Sequence, residues 1–385
     1  MKQKMTTLDE LKHNIALLAS VEESGVPFIS CYLNLEGGMT SWQETLDDRV
    51  HILRRILKGS DLSDFDEALG KIETYLMTEL LPETKGVAIF ARGRLGGTFM
   101  MPMQFAAPLP DWIVVNPTPN IYHLMELKDN YHRYIILLAN AGRARILEVN
   151  LGAVTTQAWL NHSELQMRVG SEWTRNHYQI HQMHRGDRFL HEKISVLEQL
   201  MCAGGHSHLI LAGDPDITER IRHALPNTLA DKLVDMIPTS KHDQQADIVM
   251  ATLSSFIEHE EKESQSIAEQ LIAGLRSQNL AAAGSAACLK ALRRDEVDIL
   301  IMASDYQPDP GWNCTDCHAS GTEAPETSEC PECGKSAVRP MDIKEELLRL
   351  AGQQERLVEV VEHSDALMSL GGVGCLLRTA PVNSD

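Results

Sequence analysis

The stretch "AACLKALRRDEVDILIMASD", residues 286–305, decides what kind of fold this chain can form. Its first half repeats apolar residues at helical spacing, a polar turn follows, and "VDILIMA" is a short apolar run typical of a buried strand. A helix that leads directly into a buried strand is typical of an α/β fold. Similar strand and helix patterns extend outward in both directions, so the sequence predicts a mixed α/β protein.

Length and composition narrow the class of protein. With 385 residues the chain is too long for one ordinary hydrophobic core, which favours two or three domains. A hydrophobic content of 43% and a charged content of 23% are typical of a soluble globular protein. No apolar run reaches about 18 residues, and the start has no secretory signal, so we expect no membrane span. Eight cysteines without such a signal favour the reducing cytoplasm.

The first two thirds alternate between strand and helix patterns. "TLDE" at 7–10 matches a capping box before a helix, and the Pro-rich run 108–120 is expected to close the first domain. "RYIILLANAGRARILEVNLGAV" at 133–154 predicts two strands joined at Ala141–Gly142. Further strands are predicted at 27–35, 86–93, 96–105 and 206–215, and helices around Trp42, at 189–201 and at 247–275.

Two C-x-x-C knuckles, "CTDC" at 314–317 and "CPEC" at 330–333, are the clearest chemical signal. Each knuckle places two thiolates on one turn, and two turns complete a tetrahedral four-sulfur site that suits Zn²⁺. A metal held by four protein ligands has no open position for water and is structural. Four unligated thiols, two disulfides or a redox dithiol are the alternatives, and His318 can replace one thiolate. The expected ligands are Cys314, Cys317, Cys330 and Cys333. The remaining cysteines lie in apolar patterns and are expected in the core: Cys31, Cys202, Cys288 and Cys375.

The order of motifs after residue 240 resembles the C-terminal domain of the archaeal and eukaryotic class 1 release factor and Pelota family. One similar feature is the four-cysteine ribbon. Another is "GGVGCLLR" at 371–378, which is similar to the Gly-Gly-Ile-x-Ala-Ile-Leu-Arg-Tyr-like strand at the end of the family's chains. In the middle, "YIILLANAGRARILEV" at 134–149 and "SHLILAGDP" at 207–215 resemble strands of the family's RNase H-like domain. "RFLHEKISVLEQL" at 188–200 resembles the helix after its Gly-Gly-Gln loop, and "PFISCYLNL" matches in the N-terminal third.

This resemblance implies three α/β domains. They are a mixed α/β N-terminal domain at 1–127, an RNase H-like central domain at 128–240, and an α/β C-terminal domain at 241–385 with a zinc ribbon inserted at 312–336. The implied partner is the 70S ribosome, bound at its A site through the rRNA of the decoding and peptidyl-transferase centres. A translational GTPase is implied as well, which in bacteria points to elongation factor Tu. Neither a membrane nor DNA is implied.

Two motifs on which the family's activities depend are missing. In release factors the Gly-Gly-Gln loop positions water to hydrolyse peptidyl-tRNA, and an Arg-Phe pair follows its glutamine four residues later. Here that pair is Arg188–Phe189, which puts His184 in the place of the glutamine and Gln182–Met183 in the place of the glycines. Glycines allow close backbone approach and positive φ, so their replacement implies that the protein does not hydrolyse peptidyl-tRNA. "KGSDLSD" at 58–64 lacks the family's Asn-Ile-Lys-Ser motif for stop codons. These departures are similar to those of bacterial homologues, of the type that includes the ribosome hibernation factor Balon.

Residues 175–193, "RNHYQIHQMHRGDRFLHEK", form the histidine-rich segment, which is cationic in a chain of net charge −19. Its arginines can pair with phosphates, its rings can stack on unpaired bases, and its glutamines can bond to base edges or 2′-hydroxyls. The predicted RNA-binding residues are Arg175, His177, Tyr178, Gln179, His181, Gln182, His184, Arg185 and Arg188. If the segment is helical, its histidines at i, i+4 and i+7 share a face and can bind a metal. A solvated basic loop without a role is the other alternative.

From these patterns we expect a cytoplasmic, non-enzymatic translation factor that occupies the A site of idle ribosomes without decoding or peptide release. Such a protein is a hibernation factor. The first alternative is a ribosome-rescue peptidyl-tRNA hydrolase that uses Gln179 or Gln182 on a rebuilt loop. The second alternative is an interaction protein unrelated to ribosomes, with the ribbon as its docking module.

Overall fold

The computed structural model of the chain describes residues 4–23, 26–93, 99–131, 133–140, 143–161, 194–202, 206–240, 243–277, 280–317, 319–323, 325 and 329–378. Its internal contacts divide the chain into two compact units. The terminal unit consists of Met1–Asn130 and Glu260–Asp385, and the central unit of Tyr131–His259. The mixed α/β class is confirmed. The division into three domains and the RNase H-like description of the middle stay predictions.

An antiparallel sheet with the order β3-β2-β1-β4 forms the first layer of the terminal unit. Its strands are β1 (Phe28–Asn34), β2 (Gly86–Arg92), β3 (Phe99–Phe105) and β4 (Trp112–Asn116). The helices of this region are α1 (Leu8–Ala19), α2 (Met39–Ile56), α3 (Ser60–Thr78) and α4 (Tyr122–Asn130). Side chains alternate along a strand, so Ile29, Cys31 and Leu33 of β1 all enter the core shared with α2 and α3.

Local signals in this region correspond to local structure. The predicted capping box is confirmed, because the Glu10 N–H donates to Thr7 Oγ1 at 3.4 Å and the Thr7 N–H donates to Glu10 Oε2 at 3.1 Å. The Pro-rich run 108–120 contains β4, which places Ile113 opposite Cys31, and its role in closing a domain stays a prediction. Between α2 and α3 only residues 57–59 connect the helices, so most of the stretch 58–64 is the first turn of α3.

The central unit contains a five-stranded sheet with the order β7-β6-β5-β8-β9. Its strands are β5 (Tyr134–Asn140), β6 (Arg143–Asn150), β7 (Ala153–Asn161), β8 (His208–Gly213) and β9 (Leu233–Pro238). The first three strands form an antiparallel meander, whereas β8 and β9 run parallel to β5. The accompanying helices are α5 at 194–202, α6 (Pro215–Ala224) and α7 (Asn227–Ala230). Strands β7 and β9 were not predicted.

Both faces of this sheet are covered. On one face, Ile135 and Leu137 pack with Leu197 of α5 and Ile221 of α6. On the other, the ring of Tyr134 stacks on Phe256, with ring centroids 4.5 Å apart. Phe256 lies on α8 (Gln245–Arg276), the predicted long helix. The boundary between the two units falls inside α8, after His259.

The last part of the terminal unit has a sheet with the order β10-β16-β11-β15. Its elements are β10 (Ala281–Ala283), α9 (Ser285–Arg293), β11 (Val297–Ala303), α10 (Ile343–Gln353), β15 (Leu357–Val361), α11 (Asp365–Ser369) and β16 (Val373–Leu377). The stretch 286–305 therefore forms the predicted helix and buried strand. At Gly372 the φ angle is +74°, and a Cβ atom there would lie 2.7 Å from the Tyr306 ring. Only glycine fits that position, which gives a physical reason for the second glycine of "GGVGCLLR".

Buried polar contacts join the first and last thirds of the chain within the terminal unit. Glu345 of α10 is buried, and its Oε2 accepts the Ile121 N–H at the start of α4, at 2.8 Å. At the other end of α4, Asp129 Oδ2 accepts the Val360 N–H of β15 at 2.7 Å. The Lys344 ammonium lies 3.4 Å from the centre of the Tyr122 ring. Helix α4 is thus held at both ends by the C-terminal elements.

Among the helices of the described ranges, none combines the length and the apolar character that a membrane crossing requires.

The buried carboxyl group of Glu345 predicts a pH dependence of stability. Burial raises its pKa to about 8 from an ordinary value of 4.5, although the Ile121 N–H opposes this shift. Between these two values the folded protein binds more protons than the unfolded chain, so the free energy of unfolding falls as the pH rises from about 5 to about 8. Glu345→Gln keeps the acceptor oxygen and cannot ionise, so it should remove this slope and be the more stable protein at pH 8, on the order of a few kcal/mol.

Urea unfolding of both proteins at pH 5, 6, 7 and 8 measures this difference. Glu44→Gln, at an exposed position on α2, is the matched control and should follow the wild type. Parallel pH profiles for wild type and Glu345→Gln would show that the buried carboxyl does not titrate in this range.

Candidate metal centre

The ribbon, residues 311–341, is a small antiparallel sheet with the order β13-β12-β14. Its strands are β12 (Gly311–Cys314), β13 (Ser320–Gly321) and β14 (Val338–Met341). The fully buried side chains of its core are Trp312, Cys314 and Cys330, and three half-buried residues pack against them. A core of this size does not hold a fold together alone, so the ribbon needs a cross-link or a metal ion.

The four knuckle cysteines meet on one side of the ribbon. Cys314 Sγ lies 3.7 Å from Cys333 Sγ, Cys317 Sγ lies 3.5 Å from Cys330 Sγ, and the four sulfur atoms are within 4.8 Å of one another. All four are free thiols in the structure. Tetrahedral metal–sulfur bonds of about 2.3 Å imply sulfur–sulfur distances of about 3.8 Å, so the arrangement fits a four-coordinate metal ion.

Backbone hydrogen bonds shape each knuckle. In the second, the Gly334 N–H donates to the Cys330 carbonyl at 2.8 Å, and the φ of +71° at Gly334 is one that glycine adopts without strain. In the first, the N–H of Cys317 donates to the Cys314 thiol and is the largest cause that lowers the pKa of this thiol, to about 7, which favours its thiolate form. At Cys317 the Ala319 N–H also lowers the pKa, but burial and hydrogen bonds to the other ribbon thiols outweigh it and raise this pKa to about 12.

Polar contacts fasten the ribbon to the rest of the terminal unit. Arg293 at the end of α9 donates to the Ser320 carbonyl at 3.2 Å and also to the Ser320 hydroxyl. Glu23 accepts a hydrogen bond from Asn313 Nδ2 at 3.3 Å and lies 3.8 Å from the Arg339 guanidinium. The ribbon is therefore positioned from two sides, by α9 and by the segment that precedes β1.

The other cysteines were predicted to be core residues, and three of them are. Cys31, Cys288 and Cys375 are fully buried. The prediction for Cys202 is wrong, because this thiol is exposed. It directly follows Met201, which is buried against the central sheet, so Cys202 falls on the outer side of α5. The apolar run around it indicated burial, but the helical turn places neighbouring residues on different faces.

The histidine-rich segment lies outside the described residues. The described chain reaches Asn161 at the end of β7 and resumes at residue 194 with α5, and both elements belong to the central unit. The RNA-contact role therefore stays a prediction for all nine residues: Arg175, His177, Tyr178, Gln179, His181, Gln182, His184, Arg185 and Arg188. The same holds for His318 as a replacement metal ligand.

The structure also brings together a group of cations that the sequence analysis did not single out. Lys290, Arg293 and Arg294 line a cleft of about 390 Å³ between α9 and the ribbon, opposite Ser320 and Thr322. Their spacing of i, i+3 and i+4 on a helix was the available signal. The facing wall comes from the ribbon, and no local pattern shows that the ribbon folds against α9.

Comparison with known proteins gives one family match. Residues 119–256 match the model of bacterial archaeo-eukaryotic release factor family 10, a range that includes nearly all of the central unit. A search of the curated proteins gives no match.

Several solved structures are similar over most of the chain, at low identity. An archaeal translation termination factor, aRF1, is 15% identical, with 97% of this chain and 99% of that chain covered and a TM-score of 0.28. Pelota from Archaeoglobus fulgidus is 13% identical, with 99% and 94% covered and a TM-score of 0.37. Dom34 from S. cerevisiae, a translation termination-like factor that interacts with Hbs1, is 9% identical, with 97% and 94% covered and a TM-score of 0.41. Residues 119–256 of the chain are therefore similar to the bacterial members of the archaeo-eukaryotic release factor family.

Proposed function

We propose that this protein is a ribosome-binding translation factor that occupies the A site of idle ribosomes without decoding and without releasing peptide. In this role it is a hibernation factor of the type that includes Balon. The observation that carries the proposal is the family match over residues 119–256, a range in which the Gly-Gly-Gln of the release factors is replaced by other residues. A homologue that lacks the hydrolytic motif and the stop-codon motif still binds the ribosome, but it neither hydrolyses peptidyl-tRNA nor reads stop codons.

In this proposal the histidine-rich segment is the contact with the peptidyl-transferase centre. Arginine side chains bond to two phosphate oxygens at once, histidine and tyrosine rings stack on unpaired bases, and glutamine amides bond to base edges. The segment supplies all three kinds of side chain within 19 positions, from Arg175 to Lys193. The segment binds rRNA without catalysing hydrolysis, since His184 stands in the place of the catalytic glutamine of release factors.

The delivery partner in this proposal is a translational GTPase, elongation factor Tu in bacteria, as the family resemblance implies. The place of action is then the cytoplasm, where ribosomes are found. Idle ribosomes carry no substrate for peptide release, so a factor that protects them needs affinity and no catalytic step.

Zn²⁺ is the proposed metal of the ribbon. Four thiolates at tetrahedral spacing are soft ligands that suit Zn²⁺, and the reducing cytoplasm keeps them from forming disulfides. The ion replaces the hydrophobic core that the ribbon is too small to build, so it stabilises the position of β13 beside α9. With four protein ligands there is no site for a substrate or a reactive water on the metal.

The metal proposal predicts one zinc ion per chain with zinc–sulfur distances of about 2.3 Å. Elemental analysis and X-ray absorption of the purified protein measure both. Cys317→Ser combined with Cys333→Ser should abolish zinc binding, because two of four ligands are removed. Cys202→Ser, which changes an exposed cysteine outside the ribbon, is the control and should retain the ion. Protein without zinc in which all four ribbon thiols titrate freely would contradict the proposal.

The missing Gly-Gly-Gln predicts no peptidyl-tRNA hydrolysis. Purified protein added to ribosome complexes that carry labelled peptidyl-tRNA should release no more peptide than buffer does, with an active release factor as the positive control. Gln179→Ala and Gln182→Ala should leave this background unchanged. If the wild type releases peptide and either replacement abolishes the release, the ribosome-rescue hydrolase is the correct function.

The histidine-rich segment predicts a salt-sensitive contact with the ribosome. Replacing Arg175, Arg185 and Arg188 with alanine together should weaken co-sedimentation with 70S ribosomes and flatten the dependence of log affinity on log salt by about 2 to 3 units, since each phosphate contact releases counterions. Single histidine replacements should cost about 1–3 kcal/mol where the ring stacks on a base. The control is alanine at three exposed cations elsewhere, Lys12, Arg49 and Arg276. Identical salt curves for a folded triple variant and the wild type would show that the segment takes no part in binding.

A further inference from the structure

The cleft beside the ribbon concentrates positive charge in a chain of net charge −19. Lys290, Arg293 and Arg294 follow one another on neighbouring turns of α9, and all three side chains are exposed. Across the described ranges, the ion pairs in this region are made by other residues: Asp295 pairs with Arg356 at 2.6 Å and with Arg378 at 3.0 Å. Asp295, the acidic neighbour, is thus already paired with two arginines, and no such ion pair in the described residues balances the three cations of the cleft.

Stabilisation of the helix end does not account for this charge. The carbonyl end of a helix carries about half a negative charge, which one cation neutralises. Three cations at the end of α9 are more than neutralisation of the helix end requires. Like charges one turn apart also repel each other by a few tenths of a kcal/mol. A bound anion removes this repulsion.

The walls of the cleft indicate which kind of anion fits. Opposite the cations are Ser320 and Thr322, whose hydroxyl groups donate hydrogen bonds, and the floor is formed by Ala286 and Leu289. Among the described residues that line the cleft there is no aromatic ring and no carboxylate, so these residues offer donors and positive charge without a surface on which a base can stack. Guanidinium groups and hydroxyls match the oxygens of a phosphate group.

The wall formed by the ribbon is held in place by one of the cations. Arg293 donates to the carbonyl and to the hydroxyl of Ser320, so its guanidinium is oriented along the cleft before any ligand arrives. Lys290 on the same helix and Arg294 at its C-cap also line the cleft. Because Arg293 is already ordered, binding of a ligand costs less conformational entropy.

We propose that this cleft binds the phosphate backbone of RNA, as a contact separate from the histidine-rich segment. The described residues that line an adjoining cleft of about 600 Å³ at the other end of α9 include Asp309 and no lysine or arginine. We therefore place the phosphate site in the cleft of Lys290, Arg293 and Arg294. Because nothing in the cleft reads base edges, binding is independent of RNA sequence. The proposal adds a second RNA contact to the proposed function and is testable without ribosomes, so that either can fail alone.

The test measures the affinity of the full-length protein for a fluorescently labelled RNA duplex of mixed sequence, by anisotropy over a salt series. Lys290→Glu combined with Arg294→Glu leaves Arg293 and its contact with Ser320 intact. This variant should bind the duplex at least about tenfold more weakly, and its slope of log affinity against log salt should be flatter by about 2 units. Lys290→Arg combined with Arg294→Lys keeps the charges and should bind like the wild type.

A control variant with the same total charge separates a local site from a general charge effect. Lys12→Glu combined with Arg49→Glu makes the same change on exposed positions of α1 and α2 and should bind RNA within about twofold of the wild type. Circular dichroism and the thermal midpoint confirm that both variants are folded. Equal affinity of the cleft variant and the wild type would overturn the proposal, as would an equal loss in the two charge variants. Loss of binding to a labelled polyglutamate peptide with RNA binding unchanged would assign the cleft to an acidic protein segment instead.

Discussion

One buried carboxyl group holds the terminal unit together. Glu345 accepts the N–H of Ile121, a residue 224 positions earlier in the chain, and so caps a helix that the N-terminal third supplies. Without that acceptor the first N–H groups of α4 would be buried unpaired, which costs about 1–3 kcal/mol per group. At the other end of α4, Asp129 in turn accepts the Val360 N–H of β15, the edge strand of the C-terminal sheet. The two ends of the chain therefore share one folded unit, and the ribbon and α9 are positioned on it.

Electrostatics in this protein are local. The chain carries a net charge of −19, yet the cations among the residues singled out for RNA contact are grouped over short distances. At physiological salt a charge is screened beyond about 8 Å, so a phosphate group in contact with α9 interacts with the cations there and hardly with distant carboxylates. The same screening explains why total charge is a poor guide to partners. An acidic protein binds RNA wherever a few cations meet a phosphate within one screening length.

The parts of the fold that could be predicted from sequence are those set by neighbouring residues. The helix and strand of residues 286–305, the capping box of α1 and the two cysteine knuckles each depend on spacings of a few positions, and all appear in the structure. Strand β4 was missed because its partner is β1, about 80 positions away, and its own residues are surrounded by prolines. The burial of Glu345 could not be predicted from sequence, since a glutamate on an amphipathic helix is normally exposed.

The candidate sites also differ in how far they can be predicted from sequence. The four cysteines could be predicted as metal ligands because their C-x-x-C spacing is a local pattern. The family resemblance rested on motifs of similar length. Lys290, Arg293 and Arg294 appear in sequence as an ordinary basic helix end, and they form a cleft only because Ser320 lies opposite. Cys202 shows the reverse error, in which an apolar run indicated burial and the helix turned the thiol outward. A site whose walls come from separate elements therefore needs the tertiary structure, whereas a site built on one turn does not.

A factor that binds without reacting faces a different physical requirement from an enzyme. An enzyme gains from contacts that strengthen only in the transition state, whereas a factor that occupies a site gains from every contact equally, through a longer residence time. Within the proposed function, cations on an otherwise acidic surface serve that purpose with selectivity. A flexible RNA strand brings few phosphates at a time within a screening length of these cations, whereas a rigid partner with phosphates at the matching places brings several of them there at once. The acidic background thus makes RNA binding depend on the shape of the partner, and a rigid ribonucleoprotein surface satisfies that condition better than a flexible strand does.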